Sequence, residues 1–170
     1  MSTLQIKKLS KEGIPKALAK AERYRLLTDP STAEGICRDI VAVDPGNQEA
    51  LIMLILTLTD QFKDPMHRIN IKQAQDLIPQ LGDAYQKQYY QGIICERWAK
   101  ALLHRGAMGS ETMAYDFLMQ GLEFFKQAES QHPTGNDEAL LHWNSCLRCI
   151  QTHKLVPPAA GDKHSRQYHD

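Results

Sequence analysis

The sequence predicts an all-α fold assembled from reused helix-turn-helix units, and three observations carry that expectation. Sustained alternation of apolar and polar residues, the mark of a half-buried strand, is absent. Apolar residues instead recur at spacings of three and four, the helical period. The periodic stretches are parted by short turns rich in Pro, Gly and Asn, at 44–47, 79–82 and 132–136.

Each element follows from local chemistry. Helix one is expected over about 14–27, with Pro15 tolerated in its first turn and Thr28-Asp29-Pro30 stopping it. Ser31 opens helix two, Glu34 completing a capping-box pattern, and the helix runs to about Val43. Asp44-Pro45-Gly46-Asn47 then turns the chain, Asn47 capping helix three over about 48–62. Residues 63–67 form a loop, helix four continues to about Ile78, and Pro79-Gln80-Leu81-Gly82 is the next turn. Asp83 caps helix five, which extends to about His104, and Gly106 to Ser110 break the chain. Helix six covers about 111–130 and helix seven about 137–153. The organisation expected is an arm over 1–10, a helical domain over 11–154 and a disordered tail over 155–170, too poor in apolar groups to repay its ordering.

Composition narrows the function. Twenty Lys and Arg balance twenty Asp and Glu, so the whole chain exerts no long-range pull on phosphate backbones, and a dedicated nucleic-acid binder is disfavoured. Four cysteines, Cys37, Cys95, Cys146 and Cys149, are too few and too irregular for a secreted disulfide framework, and reduced thiols in the cytoplasm fit best. No apolar stretch follows Lys7 and Lys8 as a signal peptide requires. The longest apolar run, 50–58, is far short of the roughly 20 residues that span a bilayer, so a buried helix rather than stable membrane insertion is expected. The basic charge of the first 25 residues reads as a solvated helix face.

Overlaying the Pro turns exposes an internal repeat. Ala33, Cys37, Ile40 and Pro45 have the same spacing as Gly121, Phe125, Ala128 and Pro133: a small residue where helix backbones approach, two apolar residues, then Pro to end the helix. His67, Ile71, Ala74 and Pro79 repeat the spacing with a larger first residue. Ala17, Ala21 and Tyr24 precede the first turn, Leu51, Leu54, Ile55 and Leu58 follow it, and Ala139, His142, Trp143 and Cys146 follow the last. Ala21 and Ile55, like Pro45 and Pro79, lie 34 residues apart, the period of the tetratricopeptide family, which the chain thus resembles over about 11–153. Pro79 and Pro133 are 54 residues apart, so the third unit is irregular, with longer fifth and sixth helices. The resemblance implies an α-solenoid of about three helical pairs, with helix seven capping the last.

Chemistry has few candidates. The chain contains no Gly-rich phosphate loop, nucleophile elbow, zinc-protease His pair or calcium loop, and it is read as a non-enzyme without a cofactor. His142, Cys146, Cys149 and His153 fall on one side of helix seven as a weak alternative metal or redox site. One helix cannot wrap four ligands around an ion, and core packing is the favoured role. The family resemblance implies instead a concave groove lined by the first helix of each pair: Leu18, Glu22 and Arg25; Ile52, Leu56 and Thr59; Gln86, Tyr90, Ile93 and Arg97; Leu140, Asn144 and Arg148. Family members that grip a C-terminal carboxylate use Lys and Asn where this chain has Leu18, Glu22, Ile52 and Leu56, so that clamp is missing. The function expected is an adaptor or scaffold holding a hydrophobic peptide or protein partner through Tyr and Arg anchors, with self-association into a homo-oligomer as the alternative.

Overall fold

The computed structural model describes residues 4–66 and 71–160, and within them the chain is all-α. Seven α-helices follow in order: α1 Ile14–Leu26, α2 Pro30–Val43, α3 Gln48–Asp60, α4 Ile71–Gln75, α5 Ala84–Arg105, α6 Ser110–Glu129 and α7 Glu138–Thr152. Single 3-10 turns lie at Lys11–Gly13 and Ile78–Gln80. Consecutive helices pack against one another, and the odd-numbered ones also adjoin in sequence, α1 to α3, α3 to α5 and α5 to α7. Helices α2, α4 and α6 lie behind that row, each against the odd-numbered helices that flank it. This is a repeat-like stack of helical pairs.

The caps explain most boundaries. Asn47 Oδ1 accepts from Ala50 N at 3.0 Å while its amide donates to Asp44 at 3.0 Å, and Asp83 accepts from Tyr85 N at 3.1 Å. Gly106 at φ 62° closes α5, and Gly109 at φ 80° opens α6. Helix α2 departs from expectation: Asp29, not Ser31, is its cap, accepting from Thr32 N at 3.1 Å, because Pro30 already occupies the first turn. Glu34 then lies too deep in the helix for a capping box and instead accepts from Arg38 at 2.7 Å and from Gln61 of the α3 C-cap at 2.8 Å. Helix α4 ends earlier than the spacing predicts, at Gln75. Leu77 N–H already bonds three residues back, to Ala74 O at 3.2 Å, and Pro79 has no N–H to offer Gln75 O, so the chain continues as a 3-10 turn. The expected start of that helix, including His67, lies outside the described residues.

The repeat spacings sit at the helix contacts. Ala33, Cys37, Ile40, Phe125, Ala128 and Ala74 are fully buried. The turns at Pro45 and Pro79 are physically joined: Gln48, at the start of α3, donates to Gly46 O and Gln80 O and accepts from Gly82 N at 2.8 Å. Two large hydrophobic clusters fill the interior. One lies among α1 to α5 around Leu51, Ile55 and Phe62, and the other lies among α5 to α7 around Phe117, Leu118 and Phe125; Tyr90 and Trp98 of α5 pack against both. The apolar run at 50–58 is indeed the buried α3, and no helix among the described residues is long and apolar enough to cross a membrane.

The segment at 155–160 does not simply leave the fold. Leu155 is buried against the α5 to α7 cluster, its N–H bonded to Ile150 O at 3.0 Å; residues 161–170 lie outside the described residues. At the N-terminal side Leu9 packs beside Ile14, Ile40 and Ala50, so part of the arm is docked as well.

The tightest approach is α5 against α6. A Cβ on Gly92 would stand 2.6 Å from the ring of Phe125, itself fully buried, so this position admits no side chain without displacing the ring. Gly92→Ala is expected to destabilise the protein by about 1–3 kcal/mol, measured as a lowered urea midpoint, whereas Gly35→Ala, whose Cβ meets nothing within 4 Å, should not.

Candidate functional site

The row of odd-numbered helices presents a polar face on which charges from different helices are tied together. At its centre is Asp60, the last residue of α3. One carboxylate oxygen accepts from Arg25 Nε of α1 at 2.6 Å and the other from Arg97 of α5 at 2.7 Å. Arg97 also donates to Thr59 Oγ1 at 2.7 Å, which holds its guanidinium against α3. Burial pulls the Arg97 pKa down, with Asp60 opposing it.

One residue earlier on α5, Glu96 points the other way, toward α7. Its side chain is 3% exposed and takes three hydrogen bonds: from Lys100 Nζ at 2.5 Å, Ser145 Oγ at 2.7 Å and His142 Nδ1 at 2.7 Å. Lys100 donates to Ser145 Oγ as well, at 3.0 Å. Burial by itself pushes the Glu96 carboxyl up, but the hydrogen bonds from His142, Lys100 and Ser145 and the Lys100 charge outweigh it and hold it down at about 2. His142 is further fixed by stacking on Phe125, ring centroids 5.5 Å apart, and by the edge of Tyr89 at 5.7 Å.

Two adjoining clefts open on this face. The first, about 420 Å³, is lined by Thr59, Asp60, Lys63, Glu96, Arg97, Lys100, Leu141, His142 and Ser145. The second, about 460 Å³, shares Lys63, Lys100 and Ser145 and continues along Leu103, His104, Arg148, Cys149, Thr152 and His153.

Of the positions the repeat spacing assigns to a groove, Arg25, Thr59 and Arg97 meet in the Asp60 network and Arg148 lines the second cleft. Ile52, Leu56, Gln86, Tyr90 and Asn144 are half-buried along the same helices, with Leu18 likewise on α1; Glu22 and Leu140 are exposed. Ile93 differs. At 2% exposure it belongs to the core of α5 and α6, because α5 is packed on several sides and this position is turned toward α6. Asp60, Lys63, Glu96, Lys100, His104 and Ser145 escaped the sequence reading. The one local signal was the pair Glu96 and Lys100, one helical turn apart with opposite charge.

The cysteine and histidine set on α7 is dispersed. Cys146 is buried against α6, His142 turns to Glu96, and only Cys149 and His153 line a common cleft; no group of three such side chains among the described residues could hold a metal ion. Burial pushes the thiols of Cys37 and Cys95 up to about 12 and raises those of Cys146 and Cys149, so all four are held as thiols. No family model, no curated protein and no solved structure matches the chain.

Because the carboxyl of Glu96 is depressed in the folded state, its contribution to stability is complete above the ordinary carboxylate value of 4.5 and is lost as pH falls from there through about 2. Urea midpoints measured across that range should fall with pH in the native chain and fall less in Glu96→Gln. At neutral pH Glu96→Gln should cost about 2–3 kcal/mol, below the range for a wholly buried pair because Lys100 is partly exposed.

Proposed function

We propose that the chain is a non-enzymatic helical-repeat interaction module of tetratricopeptide type, binding a protein or peptide partner on the face formed by α1, α3, α5 and α7. The observation that carries this reading is the pair of adjoining clefts running along that face beside the Asp60 and Glu96 networks. These ties hold the odd-numbered helices at fixed spacing, so the face is pre-organised, which lowers the ordering cost of binding. The 34-residue recurrence of the Pro turns, joined through Gln48, supports the tetratricopeptide assignment.

The chemistry around Ser145 supports a non-catalytic role. Its hydroxyl donates to Glu96 and accepts from Lys100, whose ammonium is paired with the same carboxylate, so neither neighbour is a free base to activate it. Glu96, Lys100 and Ser145 are accounted for as ties between helices.

Anchors in this reading differ from the sequence expectation in one respect. Arg97 is committed to Asp60 and Thr59, and Tyr90 packs on both hydrophobic clusters, so removal of either acts first on helix packing, whereas Ile52, Gln86 and Arg148 remain available to a partner. The test is affinity capture with mass spectrometry, using the wild type, an Ile52→Ser/Gln86→Ala variant of the face and Lys126→Glu on the exposed side of α6 as control. A specific protein captured by the wild type and control and lost by the face variant, at unchanged helicity by circular dichroism, is the expected result. Equal capture by all three sinks the assignment of the face.

A further inference from the structure

We propose that the cleft between the C-terminal halves of α5 and α7 is the docking site for an acidic peptide segment of a partner protein. This rests on the reading of the odd-numbered helices as a binding face and gives the occupant of one end of it a defined chemistry.

The chain as a whole is electrically neutral, yet charge on this face is segregated. Lys63, Lys100 and Arg148, with the imidazoles of His104 and His153, line the 460 Å³ cleft, and among the described residues no carboxylate does. The acidic groups of the adjoining cleft are already neutralised: Asp60 is shared between two arginines, and Glu96 is enclosed by Lys100, His142 and Ser145. Asp64, next to Lys63, accepts from Met66 N, and Glu111 lies past Leu103 and His153 in a neighbouring pocket. Counting the lining of the two clefts together with Arg25, which is tied to Asp60, the basic groups Arg25, Arg97, Lys100, Lys63 and Arg148 stand against the carboxylates of Asp60 and Glu96. Among the described residues the side chains of Lys63 and Arg148 make no ion pair or hydrogen bond, and both are exposed.

Helix ends offer a partial alternative account. The C-terminus of a helix attracts cations, and His104 and His153 sit at the ends of α5 and α7. That effect fades within the last turn, and it does not account for Lys63, which follows α3, or for Lys100 and Arg148, which lie a turn or more before their helix ends.

The shape selects among anions. The cleft extends the first cleft along the helices, is lined by Leu103 and Cys149 as well as cations, and adds the Thr152 hydroxyl. A strand of peptide bearing successive Asp or Glu side chains would place carboxylates against Arg148 and Lys63 and its backbone against the Thr152 hydroxyl. Residues 161–170 of the chain itself carry Lys163 and Arg166 against Asp162 and Asp170, and so have no net negative charge to offer.

The experiment uses the full chain with fluorescein-labelled hexaglutamate, followed by fluorescence anisotropy, with hexaglutamine and a short duplex DNA as comparison probes. Hexaglutamate should bind and hexaglutamine should not, the affinity falling as salt is raised. Lys63→Glu/Arg148→Glu should weaken binding by about tenfold or more, and Lys126→Glu should leave it unchanged. Amide shift mapping by NMR on the wild type gives an independent readout, with changes expected around His104, Arg148 and His153. No binding, undiminished binding by the double variant, shifts elsewhere on the molecule, or tighter binding of the DNA in this cleft would each overturn the proposal. A captured partner that is lost with Ile52→Ser/Gln86→Ala but not with Lys63→Glu/Arg148→Glu would overturn it while leaving the interaction-module reading intact.

Discussion

Two adjacent residues of α5, Glu96 and Arg97, govern how the helices stand side by side. Neighbours on a helix point about 100° apart, so Arg97 reaches back to Asp60 and Thr59 on α3 while Glu96 reaches forward to His142 and Ser145 on α7. Through Asp60 the tie extends to Arg25 on α1. Apolar contacts between helices leave their spacing and stagger adjustable by small amounts. Charge-assisted hydrogen bonds near 2.7 Å do not, since they weaken steeply with distance and angle. Hydrophobic burial therefore supplies the driving force for the stack, and this pair of residues sets its register.

The same arrangement shapes what the surface can recognise. A carboxylate buried with three donors is costly to strip of its partners, so Glu96 is spent on structure and offers nothing to a ligand. Asp60 is similarly occupied, its side chain only 25% exposed. Asp60 and Glu96 are thus consumed internally while Lys63 and Arg148 are left over, and a neutral chain acquires a cleft lined by basic side chains without any excess of Lys and Arg in its composition.

Much of the fold was legible in the sequence because its signals are local. Asn47 and Asp83 as caps, Gly106 at a helix end and the Pro turns each require only their immediate neighbours to act. The spacing Ala33, Cys37, Ile40 marked buried positions correctly because a helix that packs on two partners must place small and apolar residues at those intervals. Where local signals competed, the reading slipped: Pro30 moved the α2 cap to Asp29, and Pro79 cut α4 short. The site was less legible. The family resemblance places Arg25 and Arg97 on one face, but their joining through Asp60, 35 and 37 positions away, depends on how three helices stack. The same resemblance assigns Ile93 to the groove, yet it lies inward, because α5 meets neighbours over more of its circumference than a helix in a two-layer stack would.

Helix α5 also stands in both hydrophobic clusters, since Tyr90 and Trp98 pack on the α1 to α5 side and on the α5 to α7 side alike. In a simple repeat array each unit touches only its neighbours and one end can fray while the other persists. Here a single 22-residue helix carries the apolar seam between the halves and the two polar ties as well. The two halves are thus joined like two wings on a common spar, with Ile71 of α4 as a further residue that packs against both clusters.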